Sequence, residues 1–180
     1  MDMSEETLSS EQIYEGHIFS VEKQRVRLLD DTESEREIVR HPGGAGVLPL
    51  DESGYVYLTR QFRKALDCET LEIPAGKLEP DEDPYHCAVR ELKEETGFEA
   101  DRIESLGSLY ATPGYCDEEV HIYLATGLKS GRQELDPGEF ISVVRLSLDE
   151  AIESVMQDQI CDAKTVIALL KAKEMTKLRG

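Results

Sequence analysis

Between Gly76 and Phe98 the chain reads GKLEPDEDPYHCAVRELKEETGF, and the glutamates of this stretch restrict its folding more than any other feature. Asp83 is a good helix N-cap, and Pro84 suits the first helical position, where its missing N–H would have had no partner. Gly97 is a C-terminal stop. The helix so bounded carries Glu91, Glu94 and Glu95, and like charges three and four residues apart cost about 0.2 to 0.5 kcal/mol per pair. At helical periodicity Tyr85, Val89 and Leu92 form an apolar stripe, with the glutamates clustered on another face. Three carboxylates beside a glycine-containing loop make a hard-oxygen site suited to magnesium or manganese, which turns their repulsion into shared coordination. Glu91 and Glu95, four apart, can reach one ion. A solvated acidic helix face would show the same spacing, so the rest of the chain has to decide.

Residues 1 to about 10 are polar and acidic without periodicity, and read as disordered or loosely attached. From Ile13 to Val39, segments such as HIFSVEKQRVRLL alternate apolar and polar around the acidic turn DDTESE, as an antiparallel arm of short strands does. GAGVLPL and GYVYLTRQF, joined through Asp51 to Gly54, read as a core hairpin, and TLEIPAG as a short strand stopped by Pro74 and Gly76. Further strands are expected near 103–111, 118–126 and 139–146. Ser147 and Glu150 stand at capping-box spacing before one helix, and a second is expected from about Ala163 to Lys173, with Val166, Leu169 and Leu170 on one side. Strands covered by helices on two sides predict an α/β sandwich built on a mixed sheet.

Composition excludes several classes of partner. The 180 residues include 38 acids against 20 Lys plus Arg, a formal charge of -18, which repels nucleic acid and anionic membranes. The same field repels a phosphorylated substrate unless cations or a local Arg cluster reverse its sign. No apolar run approaches the roughly 18 residues of a membrane span, and the start MDMSEETLSS is acidic where a signal peptide is basic, so a cytoplasmic protein is expected. Cys68, Cys87, Cys116 and Cys161 lie far apart with no C-x-x-C pair, which reads as reduced thiols and no structural zinc. His17, His41, His86 and His121 are equally scattered, and no chemistry is assigned to them.

The spacing of Gly76, Glu82, Arg90, Glu91, Leu92, Glu94, Glu95, Gly97 and Phe98 resembles the Nudix box position by position: Gly, five residues, Glu, seven residues, Arg-Glu, an aliphatic, any residue, Glu-Glu, any residue, Gly, an apolar residue. This resemblance implies an α/β/α sandwich with a mixed sheet, in which a loop, helix and loop hold the metals while water attacks a diphosphate. Glu91 and Glu95 would then be metal ligands with Glu94 nearby, Arg90 would brace the acidic cluster, and Gly76 and Gly97 would shape the loops. Two unit charges 4 Å apart interact by about 4 kcal/mol at an effective dielectric near 20, so an anionic diphosphate would be expelled from three carboxylates without metal.

Outside the box, EREIVRHPGGAGVLPL, TRQFRKALDCETLEIPAGKLEP, ATPGYCDEEVHIYLA and CDAKTVIALL resemble the ADP-ribose pyrophosphatase branch. The likeness divides the chain into an N-terminal β arm over 1–40, expected to dimerise, and a Nudix hydrolase domain over 41–180. It implies that Ala75 offers its carbonyl to the metal and that Arg63 meets phosphate with a bidentate guanidinium. Glu72 is either a substrate-site group or a structural partner for Arg90. Pro113 stands where this branch has a proline. Tyr14 and Phe19 of the arm are candidates to stack on the base. Glu139 in DPGEFISV is the expected general base, although many relatives carry a more acidic loop; Asp117, Glu118 and Glu119 are its rivals. The implied reaction is magnesium- or manganese-dependent hydrolysis of ADP-ribose or a related nucleoside diphosphate sugar to AMP, or another nucleoside monophosphate, and a sugar phosphate. A different nucleoside diphosphate derivative (a GDP-sugar or dinucleoside polyphosphate) and a non-catalytic ADP-ribose sensor are the alternatives. Enzymes of this branch are commonly homodimers with exchanged N-terminal strands, so a homodimer is expected too.

Overall fold

A computed structural model describes residues 3–179. The chain forms two compact units, one built from the residues up to Gly43 together with Tyr110–Glu119, the other from Gly44–Leu109 with Val120 onward.

The first unit contains the three-stranded antiparallel sheet of β1 (Glu6–Glu15), β2 (Ser20–Arg27) and β3 (Glu33–Arg40). The expectation of disorder over residues 1 to about 10 fails from Glu6 onward; residues 1 and 2 lie outside the described residues. What periodicity missed is a strand held by its ladder and by charge. Glu6 pairs in register with Arg27, their side chains 2.7 Å apart, and Glu5 reaches Arg36 at 2.5 Å. Val39 and Cys116 form a parallel bridge within the same unit.

The second unit holds two sheets. In the first, β4 (Gly44–Pro49) lies between β7 (Ala75–Lys77), antiparallel, and β9 (Glu119–Ser130), parallel, with β8 (Phe98–Tyr110) beyond β9. Successive side chains of a strand point to opposite faces, and here both faces are buried. Ala45 and Val47 of β4, with Tyr123 and Ala125 of β9, pack on Ala88 and Leu92 of α1 (Pro84–Thr96). Leu48, Ile122 and Leu124 face the other way, into a core completed by Val56, Leu58, Leu148, Ala151, Ala168 and Leu169. Those last residues come from β5 (Tyr55–Arg63), α2 (Leu148–Met156) and α3 (Ala163–Arg179), so the sheet is sandwiched as the sequence predicts. Ser147 caps α2 in the anticipated capping box, and α3 runs past Lys173 to Arg179.

The hairpin expected from GAGVLPL and GYVYLTRQF does not form a ladder. Both edges of β4 are taken by β7 and β9, so after the Asp51–Gly54 turn the chain makes one bridge, Leu50 with Val56, and leaves for a second antiparallel sheet. There β5 lies between β10 (Ile141–Ser147) and β6 (Cys68–Glu72). Among the described residues no helix is long and apolar enough to cross a membrane.

Candidate active site

Helix α1 starts and stops where local rules place its ends. Asp83 accepts a hydrogen bond from the Tyr85 N–H at 2.8 Å, and Gly97 takes the left-handed conformation, φ 74°, that ends the helix. Its buried face differs from the predicted one. Tyr85 and Val89 are 42% and 39% exposed, whereas Glu91 and Glu95 are 8% and 6% exposed and share the inner face with Cys87, Ala88 and Leu92. Apolar periodicity located the helix and the inward position of Leu92 correctly but wrongly added Tyr85 and Val89 to the inner side, because this helix turns carboxylates toward the sheet.

Strand β7 receives them. The Glu91 carboxylate lies so close to Gly76 that a β-carbon there would stand 1.7 Å from Oε1, so no other residue fits without displacing Glu91. One residue earlier, the Ala75 N–H donates to Glu95 Oε2 at 3.3 Å. Burial, followed by the neighbouring charge of Glu91, pushes the Glu95 carboxyl up to about 8, with Glu139 adding to the push and the Ala75 N–H and Arg63 opposing it. Burial likewise raises Glu91, against the pull of Arg90.

Arg90 binds three carboxylates. Its Nε and Nη2 donate to the two oxygens of Glu82 at 3.0 Å each, and Nη1 donates to Glu91 at 2.6 Å and Glu94 at 3.0 Å. Chiefly through Arg90, Glu82 is held down at about 2. Glu94 is thereby turned to Arg90, and among the described residues no three His, Cys, Asp or Glu side chains converge as a ready-made metal site. The donor set nevertheless fits a hard divalent ion: two buried carboxylates, adjacent on one helix face, beside the backbone of Ala75, of which Arg90 engages one, Glu91.

Glu72 and Arg63 form their own pair. Arg63 Nε and Nη2 donate to Glu72 Oε1 and Oε2 at 2.7 and 2.6 Å, and Lys164 and Thr70 each donate to the same carboxylate at 2.5 Å. The partners of Glu72 are therefore Arg63, Lys164 and Thr70, while Arg90 binds the box glutamates. Burial works against the ionised Glu72, but these donors hold it down at about 2. The charge of Glu95 also acts on Arg63.

Glu139 ends a tight turn. Its N–H donates to the Asp136 carbonyl at 3.0 Å across Pro137 and Gly138, whose φ of 95° is one a type II turn needs. The Asp136 N–H reaches Glu139 Oε2 at 3.3 Å, and the Glu139 charge is felt by both Glu91 and Glu95. The segment before this turn is fastened to the end of α1: the Glu134 N–H donates to the Glu94 carbonyl at 2.9 Å and Gln133 Nε2 to the Glu95 carbonyl at 2.7 Å. A β-carbon on Gly131 would stand 2.7 Å from the Gly97 carbonyl oxygen, so the two backbones touch. Nothing local in the sequence marks Gln133 or Glu134 for this part.

The remaining candidates lie in the first unit. Tyr14 and Phe19 pack with ring centres 5.6 Å apart and planes tilted by 45°, both exposed, at the β1–β2 hairpin end. Pro113 lies in the Tyr110–Glu119 segment. Asp117 accepts from Arg40 and from the His41 N–H at 2.9 Å each, and Glu118 is 3.4 Å from His41 Nδ1. Glu119 opens β9.

A family profile described as NUDIX domain matches residues 40–168, and one described as nucleoside diphosphate sugar hydrolase N-terminal domain matches residues 5–43. The methanol dehydrogenase activator of Bacillus methanolicus is 42% identical over 167 residues, 92% of this chain and 90% of that protein. The ADP-ribose pyrophosphatase of Bacillus subtilis strain 168 is 40% identical over 176 residues, 96% of this chain and 95% of that one. A crystal structure of an ADP compounds hydrolase is similar with a TM-score of 0.87 at 25% identity, covering 100% of this chain and 98% of that chain.

Proposed function

As the chain belongs to the Nudix family, we propose that it hydrolyses the diphosphate linkage of ADP-ribose, or of a related nucleoside diphosphate sugar, to AMP or its equivalent and a sugar phosphate. The observation that carries this reading is the burial of Glu91 and Glu95 together against Ala75 and Gly76. Two carboxylates taken out of water with one backbone donor and one side of an arginine cost several kcal/mol unless a cation joins them. Such a site is kept for chemistry.

Glu91, Glu95 and the Ala75 carbonyl would hold magnesium, or manganese in its place. Bound there, the ion would neutralise charge on the diphosphate and acidify the attacking water. Arg90 keeps Glu82, Glu91 and Glu94 in one arrangement and the Ala75 N–H holds Glu95, so the ligand carboxylates need little reordering. Arg63 presents the free part of its guanidinium to a phosphate. Glu139 takes the proton of the water as its oxygen bonds to phosphorus and the bridging P–O bond breaks. Its placement within the field of Glu91 and Glu95 supports it over Asp117, which Arg40 and His41 already engage.

The same reading takes the protein as a cytoplasmic homodimer. Ile13, Tyr14, Ile18 and Phe19 are all exposed at one hairpin of the arm, a cluster that a second copy would cover. Light scattering at micromolar concentration should give a dimer, and removal of residues 1–40 a monomer that binds ADP-ribose far more weakly; a strict full-length monomer refutes the shared arm. The direct test of the activity is a magnesium-dependent screen of nucleoside diphosphate derivatives with product identification. AMP from ADP-ribose is expected. Binding of ADP-ribose without AMP would make the chain a sensor, and preference for a GDP-linked sugar would move the substrate assignment.

A further inference from the structure

The motif CDAKT has no part in the reaction described above, yet it grips the link between β6 and β7 that leads into the site. Asp162 Oδ2 accepts from the Thr165 N–H at 3.0 Å and from the Thr165 hydroxyl at 2.5 Å. The fully buried Thr165 hydroxyl in turn accepts from the Ile73 N–H at 2.7 Å, two residues before Ala75. Between these residues Lys164 reaches the preceding side chain, donating to Glu72 at 2.5 Å and to Asp162 Oδ1 at 3.0 Å.

The charge arithmetic of this cluster bears on Arg63. Glu72 is 4% exposed and receives two N–H groups from Arg63, one from Lys164 and the hydroxyl of Thr70, which fills a carboxylate's lone pairs. With Arg63 as its sole cation, Glu72 would neutralise the guanidinium one to one, and Arg63 would offer a phosphate little net charge. Lys164 changes that balance, since it brings a second cation to Glu72 while also pairing with Asp162 Oδ1 at 3.0 Å. Asp162, the acid nearest to Lys164, has its other oxygen on the N–H and hydroxyl of Thr165 at the start of α3, where a helix end offsets negative charge. Arg63 remains part-exposed beside a cavity of about 360 Å³ that Leu66, Thr70, Asp162 and Lys164 also line.

We propose that Lys164 is a positioning residue for substrate binding: by sharing Glu72 it fixes the Arg63 guanidinium and leaves part of its charge for a substrate phosphate. The inference deepens the functional reading above and rests on its assignment of Arg63 to phosphate. Because Lys164 acts on binding through Arg63, its loss should appear in KM and leave the proton transfers of turnover in place.

The test is a double-mutant cycle on the full chain with ADP-ribose and magnesium, using Lys164→Gln, which keeps a donor for Glu72 but removes the charge, and Arg63→Gln. Lys164→Gln should raise KM about tenfold with kcat changed less than about twofold, the loss of one charge-assisted interaction. Lys164→Arg should restore KM to within about twofold of wild type. In the Arg63→Gln background, Lys164→Gln should change KM by less than about twofold. If Arg63→Gln leaves KM unaltered, the phosphate assignment of Arg63 falls and takes this inference with it. If Arg63→Gln raises KM but Lys164→Gln does not, or if the two effects multiply, the inference alone is overturned. Should the double variant not fold by circular dichroism, the single variants decide: KM raised in Gln and restored in Arg supports the role, and equal KM in all three forms refutes it.

Discussion

Gly76→Ala separates the chemistry of the site from its stability. An alanine β-carbon would stand 1.7 Å from Glu91 Oε1 and 2.3 Å from its carboxyl carbon, where ordinary contact begins near 3.4 Å. Glu91 must therefore retreat by roughly 1.5 Å, and a misplacement of about 1 Å in a catalytic group costs on the order of a hundredfold in rate. The backbone of Gly76 is not in the left-handed region, so alanine introduces no dihedral strain. An off-rotamer glutamate costs about 0.5 to 1.5 kcal/mol, and replacing glycine recovers about 0.4 to 1 kcal/mol through the unfolded state. The two nearly cancel. Magnesium-dependent AMP release should thus fall at least about a hundredfold, while the melting temperature in metal-free buffer moves by no more than a few degrees. Calorimetric titration with magnesium should show weakened binding. Turnover within threefold of wild type would refute the claim that the fit between Gly76 and Glu91 sets the ligand geometry.

Glu95→Gln should nearly abolish turnover with the fold intact by circular dichroism. Its carboxyl sits at about 8 when folded against an ordinary 4.5, so without metal the ionised form is disfavoured and stability is lost as pH rises between those values; the variant should flatten that loss in melting curves. Glu139→Gln should lower kcat far more than it raises KM, as expected for a group that acts on the attacking water, and unchanged constants would return Glu118 and its neighbours to consideration. Glu72, held at about 2, contributes stability that is complete above about 4.5 and disappears as pH falls toward 2, roughly 3 kcal/mol in all. Acid unfolding of Glu72→Gln should accordingly lose much of its pH dependence in that window, and an unaltered acid limb would show that the pairing with Arg63 and Lys164 contributes nothing net.

The parts of this fold that were legible in the sequence are those fixed over a few residues. Asp83, Pro84 and Gly97 bound α1 because capping and left-handed geometry are local, and the Ser147–Glu150 box begins α2 for the same reason. The hidden parts depend on partners far along the chain. Whether β4 pairs with β5 is decided by β7 and β9 occupying its edges, and β1 is secured by arginines on β2 and β3 that no periodicity in its own residues announces.

The site itself shows a sharper version of the same limit. Hydrophobic patterning predicts the inner face of a helix on the assumption that burial is the helix's purpose, and by that rule Tyr85 and Val89 belong inside. In α1 the inner face carries Glu91 and Glu95, with Ala88 and Leu92 supplying the packing beside them. A helix that buries its acids gives up hydrophobic stabilisation at those positions, and the neighbouring elements carry the compensation: a glycine with no side chain opposite Glu91, a backbone N–H on Glu95, and an arginine bound to three carboxylates. Each of these is intelligible only once the acids are inside. The violation of the pattern and the glycine that permits it are therefore one feature, which is why replacing Gly76 should cost activity and leave the fold standing.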